Sequence, residues 1–154
     1  MFTRTNSVAE IIENLIVSTQ TSIDAALYRF NSQRLARALL DAHQRGVEIR
    51  LVTDRCKYEK SQATRNLLGQ CAFPFRLTHG RDGANSKMHH KFTVLDGTLV
   101  ITGSYNWTFA SEERNHENIL LLRQPRLIGI YRQEFETLWK SSKPPDSIED
   151  GSKK

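Results

Sequence analysis

Residues Met88 to Asn118, MHHKFTVLDGTLVITGSYNWTFASEERNHEN, concentrate the side chains that can do chemistry. On a strand, residues two apart share a face, so His89 and Lys91 project together while His90 and Phe92 point the other way. Asp96-Gly97 between two apolar runs is a hairpin signal, and it folds the following strand back alongside. Gly103-Ser104-Tyr105-Asn106 then lands near the level of His89, with Ser104 and Asn106 again two apart. Gly103 is expected to allow an anion close to the backbone. An ammonium, a hydroxyl and a carboxamide are donors suited to phosphate oxygens, and a neutral imidazole can attack. A phosphodiester repels nucleophiles through its charge, and cationic groups relieve that repulsion as the transition state forms. A histidine nucleophile would split the reaction into two displacements through a phosphohistidine. Such an arrangement requires neither metal nor cofactor, and the sequence holds no carboxylate cluster of the kind that binds paired Mg²⁺ ions.

The elements that must position these residues alternate between helix and strand. Ser7-x-x-Glu10 is a capping box, and a helix follows over Ser7 to Thr19. Phe2 and its neighbours suit a short leading strand. Ile23 to Phe30 reads as a buried strand, with Tyr28 in the core. Asn31 or Ser32 caps a second helix, lined inward by Leu35, Ala38, Leu39 and Ala42 and ended by Gly46. Val47 to Thr53 alternates as a strand, Lys57 to Gly69 is helical with Leu67 and Leu68 inward, and Phe73 to Thr78 is a short strand. His79 to Lys87 is a polar, Gly-rich loop. Met88 to Leu95, Leu99 to Thr102 and Asn118 to Leu122 are strands. Pro125 opens a last helix with Leu127, Ile130, Tyr131, Leu138 and Trp139 inward. The order predicts an α/β fold: a mixed, largely parallel sheet with helices on both faces, in one domain over residues 1–140. Residues 141–154 are expected to form a polar, disordered tail.

Composition narrows the class. The chain has 154 residues, 38% apolar and 25% charged, which describes one globular domain and excludes a disordered chain. No apolar run approaches the length of a membrane span, so no integral membrane segment is expected. Twenty-two Lys and Arg against 17 Asp and Glu leave a net charge of +5, which suits an anionic partner such as nucleic acid or phospholipid. No signal peptide follows Met1, which points to the cytoplasm, or to an exported protein if a leader has been removed. Cys56 and Cys71 are two buried thiols or one disulfide, the first being favoured, and no base is evident for Cys56.

The pattern His89-x-Lys91-x4-Asp96, six residues, then Gly103-Ser104-x-Asn106, resembles the HKD signature of the phospholipase D superfamily. The Glu117-Asn118 pair fits it too. The resemblance covers about residues 2–140 and is nearest to the short, single-motif bacterial endonucleases and their mitochondrial and piRNA-pathway relatives. It implies a nucleophilic His89, phosphoryl oxygens held by Lys91, Ser104 and Asn106, and Glu117 hydrogen-bonded to the far nitrogen of His89. Asp96 belongs to the motif, but at a hairpin turn it reads as a structural residue.

One motif supplies one histidine, whereas two displacements need a general acid and then a base. His90 faces away and reads as a packed structural residue. His43 lies in a helix, His79 in a loop, and His116 is expected to point away from Glu117. The family's solution is a homodimer with a shared site. The implied function is a metal-independent phosphodiesterase, foremost a sequence-nonspecific nuclease for DNA or RNA. A phospholipid phosphodiesterase or transphosphatidylase of the cardiolipin or phosphatidylcholine type is the alternative, and a non-catalytic nucleic-acid-binding module is another. A sequence-specific restriction nuclease would need a recognition domain that is absent here. Arg81, Lys87, Arg55 and Lys57 are candidates to line a polyanion groove. Trp107 and Phe109 are candidates either for base stacking or for packing.

Overall fold

The computed structural model describes residues 1–146. Its elements are α1 (Val8–Ser18), β1 (Ser22–Leu27), α2 (Gln33–Gln44), β2 (Glu48–Asp54), α3 (Arg55–Lys60), α4 (Gln62–Gly69), β3 (Phe75–Thr78), β4 (Lys91–Leu95), β5 (Leu99–Gly103), α5 (Phe109–Glu113), β6 (Ile119–Leu122) and α6 (Pro125–Ser141). Six strands form one mixed sheet in the order β3-β2-β1-β4-β5-β6. β1, β2 and β3 pair in parallel, with α2 and then α3 and α4 as the crossovers. β4 runs antiparallel to β1, and β5 and β6 follow as antiparallel neighbours. β1, β2, β3 and β5 therefore point the same way, although the pairings themselves are more often antiparallel. The short Asp96-Gly97 turn has no room for a crossover helix, so it can only join antiparallel strands.

Helices cover both faces, as expected. On one, Ile12 and Ile16 of α1 and Leu35 and Leu39 of α2 pack on Ile23, Ile49 and Leu51. On the other, Ile128 and Phe135 of α6 pack on Val52, Phe92, Val94 and Val100. Each such side chain contributes about 1.5–3 kcal/mol by leaving water. Ser7 caps α1 by accepting from the Glu10 N–H, and Ser32 rather than Asn31 caps α2 through the Leu35 N–H. Among the described residues, no helix is long and apolar enough to cross a membrane.

Several boundaries differ from expectation. The helix expected over Lys57 to Gly69 divides at Ser61, which ends α3 and caps α4. α5 was not anticipated; it is a short turn capped by Thr108. In α6 the buried pair is Ile128 and Phe135, and Ile130, expected inward, is 56% exposed. Ile128, Tyr131, Phe135 and Leu138 follow the helical stripe of three- and four-residue steps, and Ile130 falls off it. Phe2 bridges Asn118, and the Thr3 N–H donates to the Glu117 carbonyl at 3.0 Å, so the leading segment lines the outer edge of β6. The ordered unit also passes residue 140. Ser142 is buried, and Lys143 exchanges backbone hydrogen bonds with Leu77 at 2.8 and 3.0 Å. Of the expected tail, residues 147–154 lie outside the described residues.

Candidate active site

The register brings distant residues to one edge of the sheet. Leu27 at the end of β1 faces Lys91 at the start of β4. Phe92 faces Thr102 near the end of β5, and Gly103 faces Ile119 at the start of β6. His89, Lys91, Ser104 and Glu117 therefore share the edge at which β1 and β2 also end, where ligands of open α/β sheets bind. His89 sits just before β4, and the Tyr28 N–H donates to the carbonyl of His90 at 2.8 Å.

Within the site, the Lys91 ammonium lies 3.1 Å from Nδ1 of His89 and 2.9 Å from its carbonyl oxygen. An ammonium has no lone pair, so Nδ1 accepts in this arrangement and the ring proton belongs on Nε2. Burial, and then the charges of Lys91 and Lys87, hold the His89 imidazole below the usual histidine range. Burial likewise lowers Lys91, against the pull of Glu117. Glu117 accepts from the Ser104 hydroxyl at 2.5 Å and from Asn115 Nδ2 at 3.1 Å. The resemblance implies a bond from Glu117 to the far nitrogen of His89; here Nδ1 faces Lys91, and the carboxylate is held by Ser104 and Asn115. The Ser104 oxygen in turn accepts from the Asn118 N–H at 3.1 Å. The Asn106 Oδ1 is buried with no hydrogen-bond partner among the described residues. Among the described residues, no three His, Cys, Asp or Glu side chains form a metal-sized group.

The sequence family described as "Cardiolipin synthase, PLD-like domain" matches residues 12–139. The chain belongs to the phospholipase D superfamily. It is 38% identical over 130 residues to mitochondrial cardiolipin hydrolase of Xenopus tropicalis, a match covering 84% of this chain and 60% of that protein. Against the Homo sapiens protein of the same name the identity is 35% over 130 residues, with 84% and 50% covered. The chain thus spans between half and three fifths of these curated relatives. Nuc, a phospholipase D family member from Salmonella typhimurium, superposes with a TM-score of 0.84 at 25% identity, covering 95% of each chain. NucT from Helicobacter pylori shares the fold, with a TM-score of 0.81 at 22% identity and 92% of each chain covered.

This phospholipase D-like site includes residues not anticipated as functional. Tyr28, read as core, is buried, yet its ring centroid lies 4.2 Å from that of His89 and beneath the ammonium of Lys91. Asp54 is fully buried. Its Oδ1 accepts from the Lys57 N–H and its Oδ2 from the Met88 N–H, both at 3.0 Å, tying the end of β2 to the residue before His89. An aspartate ending a strand before a helix is a readable cap, but its partner at Met88 depends on the fold.

Other expectations are corrected. Trp107, a candidate base-stacker, is buried edge-on to Phe30 at 5.9 Å and belongs to the core. Gly103, expected to admit an anion, admits the neighbouring strand. Its φ is +148°, and a Cβ there would collide with the Asn118 carbonyl oxygen and Ile119 Cα. His90 is no packed histidine: it lies half-exposed 3.2 Å from Glu134, edge-on to Phe92. Cys56, apparently without a base, has His79 Nδ1 3.8 Å from its sulfur. Both cysteines are free thiols, and burial pushes that of Cys71 up to about 11. Asp96 sits at the hairpin turn with a φ of +52°. Its carboxylate accepts from the N–H groups of Gln20, Thr21 and Ser22 at 2.7–3.2 Å. Arg81 and Lys87 are exposed on the loop beside the site.

Proposed function

We propose that this chain is a phosphodiesterase that cleaves DNA or RNA through a phosphohistidine on His89, in a homodimer whose two His89 side chains serve one site. The supporting observation is the convergence of His89, Lys91, Ser104 and Glu117 on one sheet edge from three strands. A phosphate draws the Lys91 ammonium from Nδ1 to its own oxygens. Nδ1 then carries the ring proton, and Glu117, released as the Ser104 hydroxyl turns from it to the phosphate, accepts from Nδ1. That leaves the Nε2 lone pair free. Nε2 attacks phosphorus, an N–P bond forms, and the P–O bond to the leaving group breaks. The leaving oxygen takes its proton from the imidazolium of His89 of the partner subunit. Water then attacks phosphorus and gives a proton to that neutral imidazole. The N–P bond breaks, its electron pair returns to Nε2, and the phosphate leaves with the other product. Lys91, Ser104 and Asn106 hold the non-bridging oxygens, and no step calls for a metal.

The basic rim of Lys87 and Arg81 beside His89 favours a polyanion. Identity to mitochondrial cardiolipin hydrolases supports a second reading, in which the phosphodiester is that of cardiolipin. One assay separates the two: labelled single- and double-stranded DNA and RNA, and cardiolipin vesicles, each in excess EDTA with wild type and His89→Ala. Nucleic-acid cleavage that survives EDTA and drops about 10³-fold or more in the variant is expected. Cleavage of cardiolipin alone selects the lipid reading. Cleavage abolished by EDTA contradicts the histidine mechanism, and binding of nucleic acid without cleavage of any substrate points to a non-catalytic module.

A further inference from the structure

Beyond Tyr28 the chain continues to Arg29, which lines a cavity of about 290 Å³ together with Lys57, Lys60, Ser61, Thr64 and Thr108. At about 30 Å³ per water in the liquid, that is room for a phosphate and part of a sugar. Arg29, Lys57 and Lys60 line it with three hydroxyl residues, and no lining residue is acidic. Among the described residues, none of the three cations is paired with a carboxylate. The nearest acid in sequence, Glu59, is engaged by Arg55 at 3.5 Å. Clustered cations repel one another, and an anion among them removes that repulsion and releases counterions.

The cavity adjoins the active site through one ring. The Lys57 ammonium lies 5.5 Å from the centroid of Tyr28, whose other face neighbours are His89 at 4.2 Å and Lys91 at 5.1 Å. Lys57 is therefore no more than about 10 Å from the His89 ring. That separation suits phosphates following one another along a strand. The one large apolar side chain in the lining, Phe30, is buried.

We propose that this cavity is a second phosphate subsite, which holds a flanking phosphate of a polynucleotide whose scissile phosphate lies at His89. Arg29 and Lys60 grip the flanking phosphate, and Lys57 bridges the two positions. The inference rests on the phosphodiesterase reading above and specifies a substrate with phosphates in series. Cardiolipin also carries two phosphates, and the test tells the sources apart.

The experiment compares wild type, Arg29→Ala/Lys60→Ala and Lys60→Glu in EDTA over a range of salt. The substrates are bis(p-nitrophenyl) phosphate, which has one phosphate, a twelve-residue oligothymidylate, and cardiolipin vesicles. The ratio of kcat/KM for the oligonucleotide to that for the chromogenic diester should fall about 10- to 100-fold in the double variant, chiefly through KM. The slope of log kcat/KM against log salt should flatten by about 1 for each lost cation. Lys60→Glu, which puts an anion in place of the cation, should also lower the same ratio below that of wild type. An unchanged ratio and slope, with wild type cleaving the oligonucleotide, overturns the subsite and leaves the phosphodiesterase reading standing. A parallel fall for both soluble substrates overturns it too, as damage to the His89 site. Wild type that hydrolyses cardiolipin but no oligonucleotide overturns both the nucleic-acid reading and this subsite.

Discussion

At the residue scale, the proposed chemistry turns on which form of His89 prevails. Burial and the charges of Lys91 and Lys87 lower its pKa, so the neutral ring persists to more acid pH than for an ordinary histidine. The acid limb of the kcat/KM profile should therefore fall below the ordinary histidine range. Lys87→Ala removes one of those cations, and the limb should move to higher pH. The alkaline limb, which reports the protonated partner imidazole, should survive in both proteins, giving a bell-shaped profile that belongs to the histidine pair. A monotonic rise to high pH would contradict the pair. Asp96 poses the opposite question, since it belongs to the motif but not to the site. Burial raises its pKa, but the hydrogen bonds from Thr21, Gln20 and Ser22 together outweigh that and hold it low. Asp96→Asn should cost about 1–2 kcal/mol of stability with kcat/KM unchanged. Because the folded pKa is depressed, that contribution is full above the unfolded aspartate pKa and is lost as pH falls through the folded value. Chemical denaturation at neutral and at acid pH measures it: the gap between wild type and variant should close in acid.

At the scale of elements, the site depends on how closely β5 and β6 approach. Gly103 faces Ile119 in the ladder, its φ is +148°, and the Asn118 carbonyl oxygen occupies the space a Cβ would need. Gly103→Ala must push β6 outward, and with it Glu117 from Ser104. We expect a loss of about 2–3 kcal/mol and a fall in kcat larger than the change in KM. Thermal melts and steady-state kinetics on one preparation check both. Equal activity per folded molecule would mean that the β5–β6 contact does not position the site. Asp54 makes a similar link between the end of β2 and Met88.

At the scale of the whole molecule, the proposed mechanism asks for two imidazoles where the motif supplies one. Subunit mixing tests a shared site directly. If wild-type and His89→Ala subunits are unfolded and refolded together, a dimer with one common site is active only when both copies are wild type. Activity should then follow the square of the wild-type fraction. A linear dependence would mean independent sites in each subunit and would require another general acid. Sedimentation of the wild type tests whether the proposed dimer forms.

Sequence alone determined the alternation of helix and strand, the Asp96-Gly97 hairpin and the residues of the motif, because periodicity, caps and turn chemistry act over a few neighbouring positions. The face shared by His89 and Lys91, and turned away from by His90, followed from the two-residue alternation of an extended chain, which here leads into β4. Tertiary structure decided the rest, because burial and partnership depend on what the fold brings near. Trp107 went to the core and Tyr28 to His89, although both are aromatic residues beyond a strand. Glu117 holds Ser104, a pairing that depends on how β5 and β6 approach. Ile130 and Ile128 are the same residue type two positions apart, and the docking of α6 on the sheet buries Ile128. The basic cavity joins Arg29 to Lys57 and Lys60 across a parallel crossover, a proximity that no local pattern encodes.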